Sequence, residues 1–260
     1  MCRPTYFKIA YEINPWMSVR RQASTPRAIS QWETLYRTLT EKLGAQVELI
    51  PPKRGLPDLV FTANAGLVHN NKIIRSNFRH SQRQGEEPVI DKHAAKLGLR
   101  VMKLPKNYLF EGEGDALWLG NTLICGFRFR SDAPVHERLS KILQARVLPV
   151  ELVNDRFYHL DTCFCPLDAK TVLWYPGAFD RYGRKVIENL ADDLIAVSEK
   201  DAKKFVCNAV VLGKSIVMQP GSPALTRTLK KRGFEIHPVN LTEFLKAGGS
   251  AKCLVLHLSR

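Results

Sequence analysis

The sequence contains no apolar run that would cross a bilayer. Stretches such as Val206 to Leu212 fall far short of the ~20 residues a membrane helix needs. The N-terminal Met1-Cys2-Arg3-Pro4-Thr5-Tyr6 lacks the apolar stretch of a secretory leader. No membrane partner is expected, and the chain reads as cytoplasmic. Paired cysteine motifs are missing too. The six cysteines (Cys2, Cys125, Cys163, Cys165, Cys207 and Cys253) are scattered, and Cys163-Phe164-Cys165 has no second pair, so no metal site is expected. Most lie in apolar, strand-like segments, as reduced thiols of a cytosolic protein do. Acidic residues are scarce, 25 against 39 Lys and Arg, for a formal charge of +14. The basic residues are dispersed from Arg3 to Arg260, and no aromatic-flanked basic motif accompanies them. Such a surface serves solubility and attracts anions, and nucleic acid is not expected as a partner.

What is present is a chain of 260 residues, 45% hydrophobic, long enough to bury a full core as one domain over residues 1–260. Five segments share a pattern of polar lead residue, apolar run, turn and second apolar run. They begin at Asn64, Asp115, Asp161, Asn208 and Cys253, spaced 51, 46, 47 and 45 residues apart. Turns such as His69-Asn70-Asn71-Lys72 and Leu119-Gly120-Asn121 suit tight hairpins, because Gly and Asn tolerate positive φ. After each hairpin comes a helix-like stretch and a short apolar strand: 86–96 then 99–104, 133–143 then 147–152, 183–191 then 194–197, and 222–231 then 234–239. The stretch 30–43, with Trp32, Leu35, Leu39 and Leu43 at helical spacing, precedes 47–50.

Five ββαβ copies predict an α/β fold, a closed five-bladed propeller with pseudo-five-fold symmetry, since closure removes sheet edges. The alternative is an ordinary layered α/β domain. The fifth unit lacks its second hairpin strand, and Tyr6 to Ile13 is the expected donor. In a radial fold the five lead residues approach one axis, Asp115 among them as a substrate-binding candidate. A ring of amides and carboxylates with one thiol suits a cationic substrate.

Three clusters carry candidate chemistry. Phe110-Glu111-Gly112-Glu113-Gly114-Asp115 packs three acids among two glycines. Tyr158-His159-Leu160-Asp161-Thr162 sets His159 and Asp161 two apart, on one side of an extended strand. Gly248-Gly249-Ser250-Ala251-Lys252-Cys253 places a thiol after a flexible pair. Each alone has an inert reading: a solvated loop, a structural pair, a core cysteine. Their occurrence in successive repeats brings them together, and thiol, imidazole and carboxylates are the parts of nucleophilic catalysis. Acyl transfer would not need so many acids. A planar guanidinium would, since paired carboxylates bind it through charge-assisted hydrogen bonds.

These residues resemble the guanidino-group-modifying (pentein) superfamily of arginine deiminases, dimethylarginine dimethylaminohydrolases, amidinotransferases and arginine dihydrolases, over essentially the whole chain. The resemblance implies a five-bladed α/β-propeller, with Glu111 and His159 as catalytic residues, Asp161 binding substrate and Cys253 as nucleophile. Tyr11-Glu12-Ile13-Asn14-Pro15-Trp16-Met17 and Pro57-Asp58-Leu59-Val60-Phe61-Thr62-Ala63-Asn64 are similar to arginine dihydrolases. In deiminases an aspartate typically stands where this chain has Asn64, a substrate-binding position. The resemblance also implies that Arg83 and Arg130 meet the substrate carboxylate and that Asn14 touches substrate. Val255 departs from the threonine found in many relatives, and the chain ends at Arg260 without the regulatory extension of larger dihydrolases.

The implied activity is hydrolysis of arginine to ornithine, carbon dioxide and two ammonia, without cofactor. Dimethylarginine dimethylaminohydrolase and arginine deiminase activity are the alternatives. Amidinotransfer, or a non-catalytic basic binding scaffold, stands as a reading of another class. The partner is a small molecule, L-arginine or an N-methylated arginine, and a homo-oligomer is left open.

Overall fold

A computed structural model describes residues 1–258. Among them are four three-stranded sheets with one connectivity. The first joins β1 (Gly66–His69), β2 (Lys72–Arg75) and β3 (Arg100–Lys103). The second joins β4 (Ala116–Leu119), β5 (Thr122–Phe127) and β6 (Arg146–Glu151). The third joins β7 (Phe164–Pro166), β8 (Thr171–Trp174) and β9 (Asp193–Ala196), and the fourth β10 (Val210–Leu212), β11 (Ser215–Met218) and β12 (Glu235–Pro238). In each, the first two strands form an antiparallel hairpin, and the third lies parallel to the middle one after a helical crossover.

Middle strands are the most buried part of the sheets. Ile73 and Ile74, Val172 and Leu173, and Ile216 and Val217 all lie out of contact with water. The crossovers Glu87–Lys96, Val135–Leu143, Arg181–Leu190 and Pro223–Lys231 fall within two residues of the stretches expected from the sequence. Capping decides where two of them start. The Asp180 side chain accepts hydrogen bonds from Tyr182 N and Gly183 N, and Ser222 Oγ accepts one from Leu225 N, each contributing about 1 kcal/mol.

The fifth unit differs from expectation. Helix Thr25–Arg37 runs on through a wider π turn at Thr38–Lys42, and Trp32, Leu35 and Leu39 bury its apolar face as the helical spacing predicts. Residues 47–50, expected as a strand, contribute a single parallel bridge, Cys2 to Ile50. Tyr6 to Ile13 forms no strand. Phe7 instead stacks on Phe244 at 5.0 Å and meets Phe61 edge-on at 5.7 Å, so burial of this ring outweighs ladder pairing. The described residues therefore contain four sheets and no fifth one, and no sheet closes on itself. In the fifth unit the 3-10 turn Lys252–Leu254 is followed by Val255 in extended conformation, with no paired hairpin strand among the described residues.

Leu173 sits at the centre of β8 and is fully buried. Leu173→Ala is expected to destabilise the fold by about 2–5 kcal/mol through lost burial and the cavity left behind. Urea denaturation followed by far-UV circular dichroism measures the change.

Candidate functional site

A short 3-10 turn precedes the opening hairpin strand of three units: Thr62–Ala65, Gly112–Gly114 and Leu160–Thr162. The turn Lys252–Leu254 stands at the same place in the fifth. These turns carry Asn64, Asp161 and Cys253, all buried, and Asp115, which follows the second of them, is buried as well. Turn geometry also divides the three acids of the 110–115 segment. Glu111 Oε2 lies 2.8 Å from His159 Nε2 and 3.1 Å from Arg130 Nη1. Glu113 points the other way and accepts from Lys252 Nζ at 2.7 Å. Asp115 accepts from Ser131 Oγ at 2.7 Å and from Leu160 N at 3.1 Å. Only Glu111 faces the imidazole. Asp115, expected to bind substrate, spends both oxygens on the frame that carries His159.

His159 and Asp161 do converge, though not from a strand. His159 is extended, and the 3-10 turn that follows it carries Asp161. Cys253 Sγ donates to Asp161 Oδ2 at 3.4 Å, and Asn208 Nδ2 donates to the same sulfur at 3.1 Å. Asn208 Oδ1 also accepts from Ser250 N and Cys253 N, both at 3.1 Å. One amide thus fixes the thiol and the turn that presents it. Asn208 is the lead residue of the fourth repeat, so its convergence was expected, but its grip on the sulfur carries no local sequence signal.

Arg83 is buried and heavily committed. It forms two hydrogen bonds with Glu86 at 2.8 and 2.9 Å, and it donates to Asn64 Oδ1 at 2.8 Å and to Asp58 O. Its direct contact in this structure is with Asn64, and receiving a substrate carboxylate requires one of those bonds to be given up. Arg130 lies between Glu111, Ile13 O at 2.9 Å and the Tyr158 ring at 4.6 Å. Asn14, expected at the substrate, is held by backbone: Nδ2 donates to Ala247 O at 3.1 Å and Oδ1 accepts from Trp16 N at 2.9 Å. It ties the 11–17 segment to the Gly248-Gly249 turn ahead of the thiol.

Burial sets the protonation of the cluster. Desolvation alone would raise the Glu111 carboxyl, but the Arg130 guanidinium and the His159 hydrogen bond prevail and hold it well below the usual range. Asp161 is pushed up to about 7 by burial, against the opposing charge of Lys252. The Cys253 thiol is raised well above its ordinary value by burial and by the neighbouring Asp161 charge. Burial therefore favours the neutral thiol at Cys253, beside one acid held ionised and one poised near neutrality.

Three buried polar atoms here have no hydrogen-bond partner: Asn64 Nδ2, His159 Nδ1 and Asp161 Oδ1. Native interiors rarely leave such atoms unpaired, and together they offer acceptors and a donor to a ligand rich in N–H groups. Asp58 was not singled out from the sequence. Its carboxyl is buried beside the Tyr11 hydroxyl and its pKa is raised by desolvation; such burial is visible only in three dimensions. Among the described residues no cluster of three or more His, Cys, Asp or Glu side chains is arranged to hold a metal.

A family model described as "N,N dimethylarginine dimethylhydrolase, eukaryotic" matches residues 4–260. The chain belongs to this family, within the guanidino-group-modifying superfamily. It is 46% identical over its whole length to the bifunctional arginine dihydrolase/ornithine cyclodeaminase AgrE of Nostoc, of which it spans 37%. It is 37% identical over 99% of its length to the N(G),N(G)-dimethylarginine dimethylaminohydrolase of Mycobacterium tuberculosis, covering 84% of that protein. Among solved structures, the N-terminal domain of ArgZ, a cysteine-to-serine mutant bound to substrate and an arginine dihydrolase from the ornithine-ammonia cycle in cyanobacteria, superposes with a TM-score of 0.96 at 44% identity. That match covers 100% of this chain and 97% of that one.

Gly114 lies where two site residues meet. A Cβ there would stand 2.3 Å from Asn64 Nδ2 and 3.2 Å from the His159 ring. Gly114→Ala is expected to displace the amide and lower kcat/KM on the substrate about 100-fold, while the circular dichroism spectrum is unchanged. Steady-state kinetics on the folded variant measures it.

Proposed function

We propose that this chain hydrolyses the guanidinium group of arginine and carries the reaction through to ornithine, carbon dioxide and two ammonia. One observation carries the reading: the Cys253 sulfur lies in bonding reach of Asp161, in a buried cluster where Asp161 Oδ1 is unpaired. A guanidinium supplies the missing N–H donors and the missing positive charge together. The likeness to AgrE and ArgZ supports arginine as the substrate.

In this mechanism Asp161 and Asn64 orient the guanidinium, and Glu111 holds His159 in place. The bound cation beside the sulfur offsets the burial that keeps the thiol neutral, and so favours the thiolate. The thiolate adds to the guanidinium carbon, and His159 protonates ammonia as it leaves, giving a thiouronium intermediate. His159 then takes a proton from water, which displaces the sulfur and leaves a ureido group. A second round on that group, with a second water, releases ammonia and a carbamate that decomposes to ornithine and carbon dioxide. The sum is arginine plus two water to ornithine, carbon dioxide and two ammonia. In this reading Arg130 takes the substrate carboxylate, and the buried Asp58 carboxylate takes the α-ammonium group.

Asn64 bears on how far the reaction runs. A neutral amide holds both a cationic guanidinium and a neutral ureido group, whereas a carboxylate would strongly prefer the cation and let the ureido product go. The family model and the mycobacterial relative favour a second reading, in which dimethylarginine is the substrate and dimethylamine leaves. The fold itself we read as five-bladed, with the fifth unit built from both ends of the chain. Gly44, at φ +68°, follows the fifth unit's helix as Gly98 and Gly233 follow those of the first and fourth, at φ +75° and +79°.

The deciding measurement is ammonia counted per amino-acid product. Two ammonia with ornithine are expected from arginine, and Cys253→Ser should abolish both. One ammonia with citrulline would make the enzyme a deiminase, and dimethylamine from dimethylarginine alone would move it to the second reading. Asn64→Asp is expected to shift the released product from ornithine toward citrulline, read by amino-acid chromatography. Because Asp161 has to ionise to grip a cation and burial sets it near 7, kcat/KM should rise with pH up to about 7 and level off above it. A flat profile across that range contradicts the assignment.

A further inference from the structure

Asn208 heads the fourth repeat, and the reaction proposed above gives it no step. Its side chain is fully buried, and every hydrogen-bonding position on its amide is filled. Oδ1 accepts from Ser250 N and Cys253 N, both at 3.1 Å. Nδ2 donates to Asp161 O and to Cys253 Sγ, again both at 3.1 Å. An amide has two acceptor and two donor positions, so none is left over. The partners also fix which way the amide faces. Backbone N–H groups can only donate, so the oxygen must meet them and the NH2 must meet the sulfur. A flipped amide would set donor against donor twice.

We propose that Asn208 is a further catalytic residue: its amide keeps an N–H on the Cys253 sulfur and stabilises the thiolate, both as it attacks and as it is expelled. The inference rests on the thiol chemistry of the proposed function. Before ionisation the thiol donates to Asp161 Oδ2 at 3.4 Å. Once that proton has gone, the same carboxylate is a like charge facing the sulfur, and the amide stays as a neutral donor to it. A hydrogen bond to an ionised acceptor is about twice as strong as one between neutral groups, so the amide favours the thiolate. Burial and the Asp161 charge raise the Cys253 thiol, and the Asn208 hydrogen bond opposes both. The same donor serves the return step. When a water oxygen bonds to the thiouronium carbon, the C–S bond breaks and its electron pair returns to the sulfur, where the N–H already points. An aspartate, which leads the second and third units, would set an acceptor and a charge there instead.

The surroundings hold this amide in place. Asn208 O accepts from Lys252 N at 3.2 Å, so the N–H groups of Ser250, Lys252 and Cys253 all end on one residue. Asn208 N in turn donates to Phe205 O at 3.0 Å. Phe205 sits at φ +58°, a region that bulky side chains rarely enter. Such a conformation persists only where its surroundings over-determine it. Here the Phe205 ring is fully buried, with Trp16 edge-on at 4.9 Å and Phe157 at 6.5 Å. Aromatic packing thus wedges the turn that presents the amide.

The test compares the full chain with Asn208→Leu, which removes the donor without adding charge, and with Asn208→Asp, which keeps an acceptor for Ser250 N and Cys253 N. Iodoacetamide, a neutral reagent, alkylates each at one fixed pH, and peptide mass spectrometry reads every cysteine separately. Both variants are expected to slow alkylation of Cys253 about ten-fold, through a smaller thiolate fraction, with Cys125, Cys163 and Cys165 unchanged. A merely structural amide predicts the opposite: a loosened turn speeds Cys253 and its neighbours together. Unchanged or faster alkylation in Asn208→Leu overturns the proposal, even where Asn208→Asp is slow, because charge alone then explains the effect. Where Asn208→Leu does not fold, NMR with nitrogen-labelled asparagine decides in chains that keep Asn208. The Asn208 side-chain amide resonance is expected to move on Cys253→Ala, and an unmoved resonance overturns the proposal. Both readouts follow the thiol, so they can fail while arginine is hydrolysed and hold while it is not.

Discussion

A carboxylate removed from water has to be matched by something, and the whole centre of this molecule is organised around that demand. Glu111 is fully buried and still ionised, because Arg130 and His159 both reach the same oxygen. Leaving a buried ion unmatched costs several kcal/mol, so loss of either partner would be felt at the other. Arg130 in turn binds the 11–17 segment through Ile13 O, and His159 is carried by a turn that Asp115 holds. One buried charge therefore ties together the second unit, the third unit and the N-terminal segment. Asp161, by contrast, has no such full match, and Lys252 acts on it only from a distance while pairing directly with Glu113. The two acids nearest the reacting groups thus differ in kind: one is fixed, and one waits for a partner.

The net charge of the chain works against its proposed substrate. A surface of +14 repels a cation at long range, so attraction must arise locally. Burial makes that local attraction effective, because within the cluster the acids are not screened by solvent. The same burial favours the neutral form of the Cys253 thiol. Reactivity is thereby coupled to occupancy, since the ligand brings the charge that the nucleophile lacks.

Much of this was legible in the repeat. Evenly spaced lead residues marked Asp161, Asn208 and Cys253, which hydrogen bonds join in the structure, because a β-hairpin with a parallel crossover strand repeats its polar entry turn. The helices of the complete units were legible for the same reason, and their ends moved only where a cap such as Asp180 or Ser222 intervened. What sequence could not distinguish was the destination of a polar side chain. Glu111, Glu113 and Asp115 look alike in one short segment, and a 3-10 turn sends them to three different partners. Asn14 reads as a ligand residue and is held by backbone, while Asp58 reads as part of a motif and is a buried carboxyl beside Arg83. Tyr6 to Ile13 alternates in a strand-like way, yet Phe7 finds more burial against Phe61 and Phe244 than a ladder would offer.

The state of the cysteines has a consequence for labelling chemistry. All six are buried, and desolvation raises Cys2 and Cys165 to about 12 and the other four well above their ordinary value. To a neutral alkylating agent the folded chain presents six quiet sulfurs with little to choose among them. On the proposed function, an electrophile that carries its own amidinium is in a different position: it would deliver the counter-charge to Cys253, the sulfur that lies against Asp161. Selectivity toward such warheads would then come from the reagent's charge, with its intrinsic reactivity secondary.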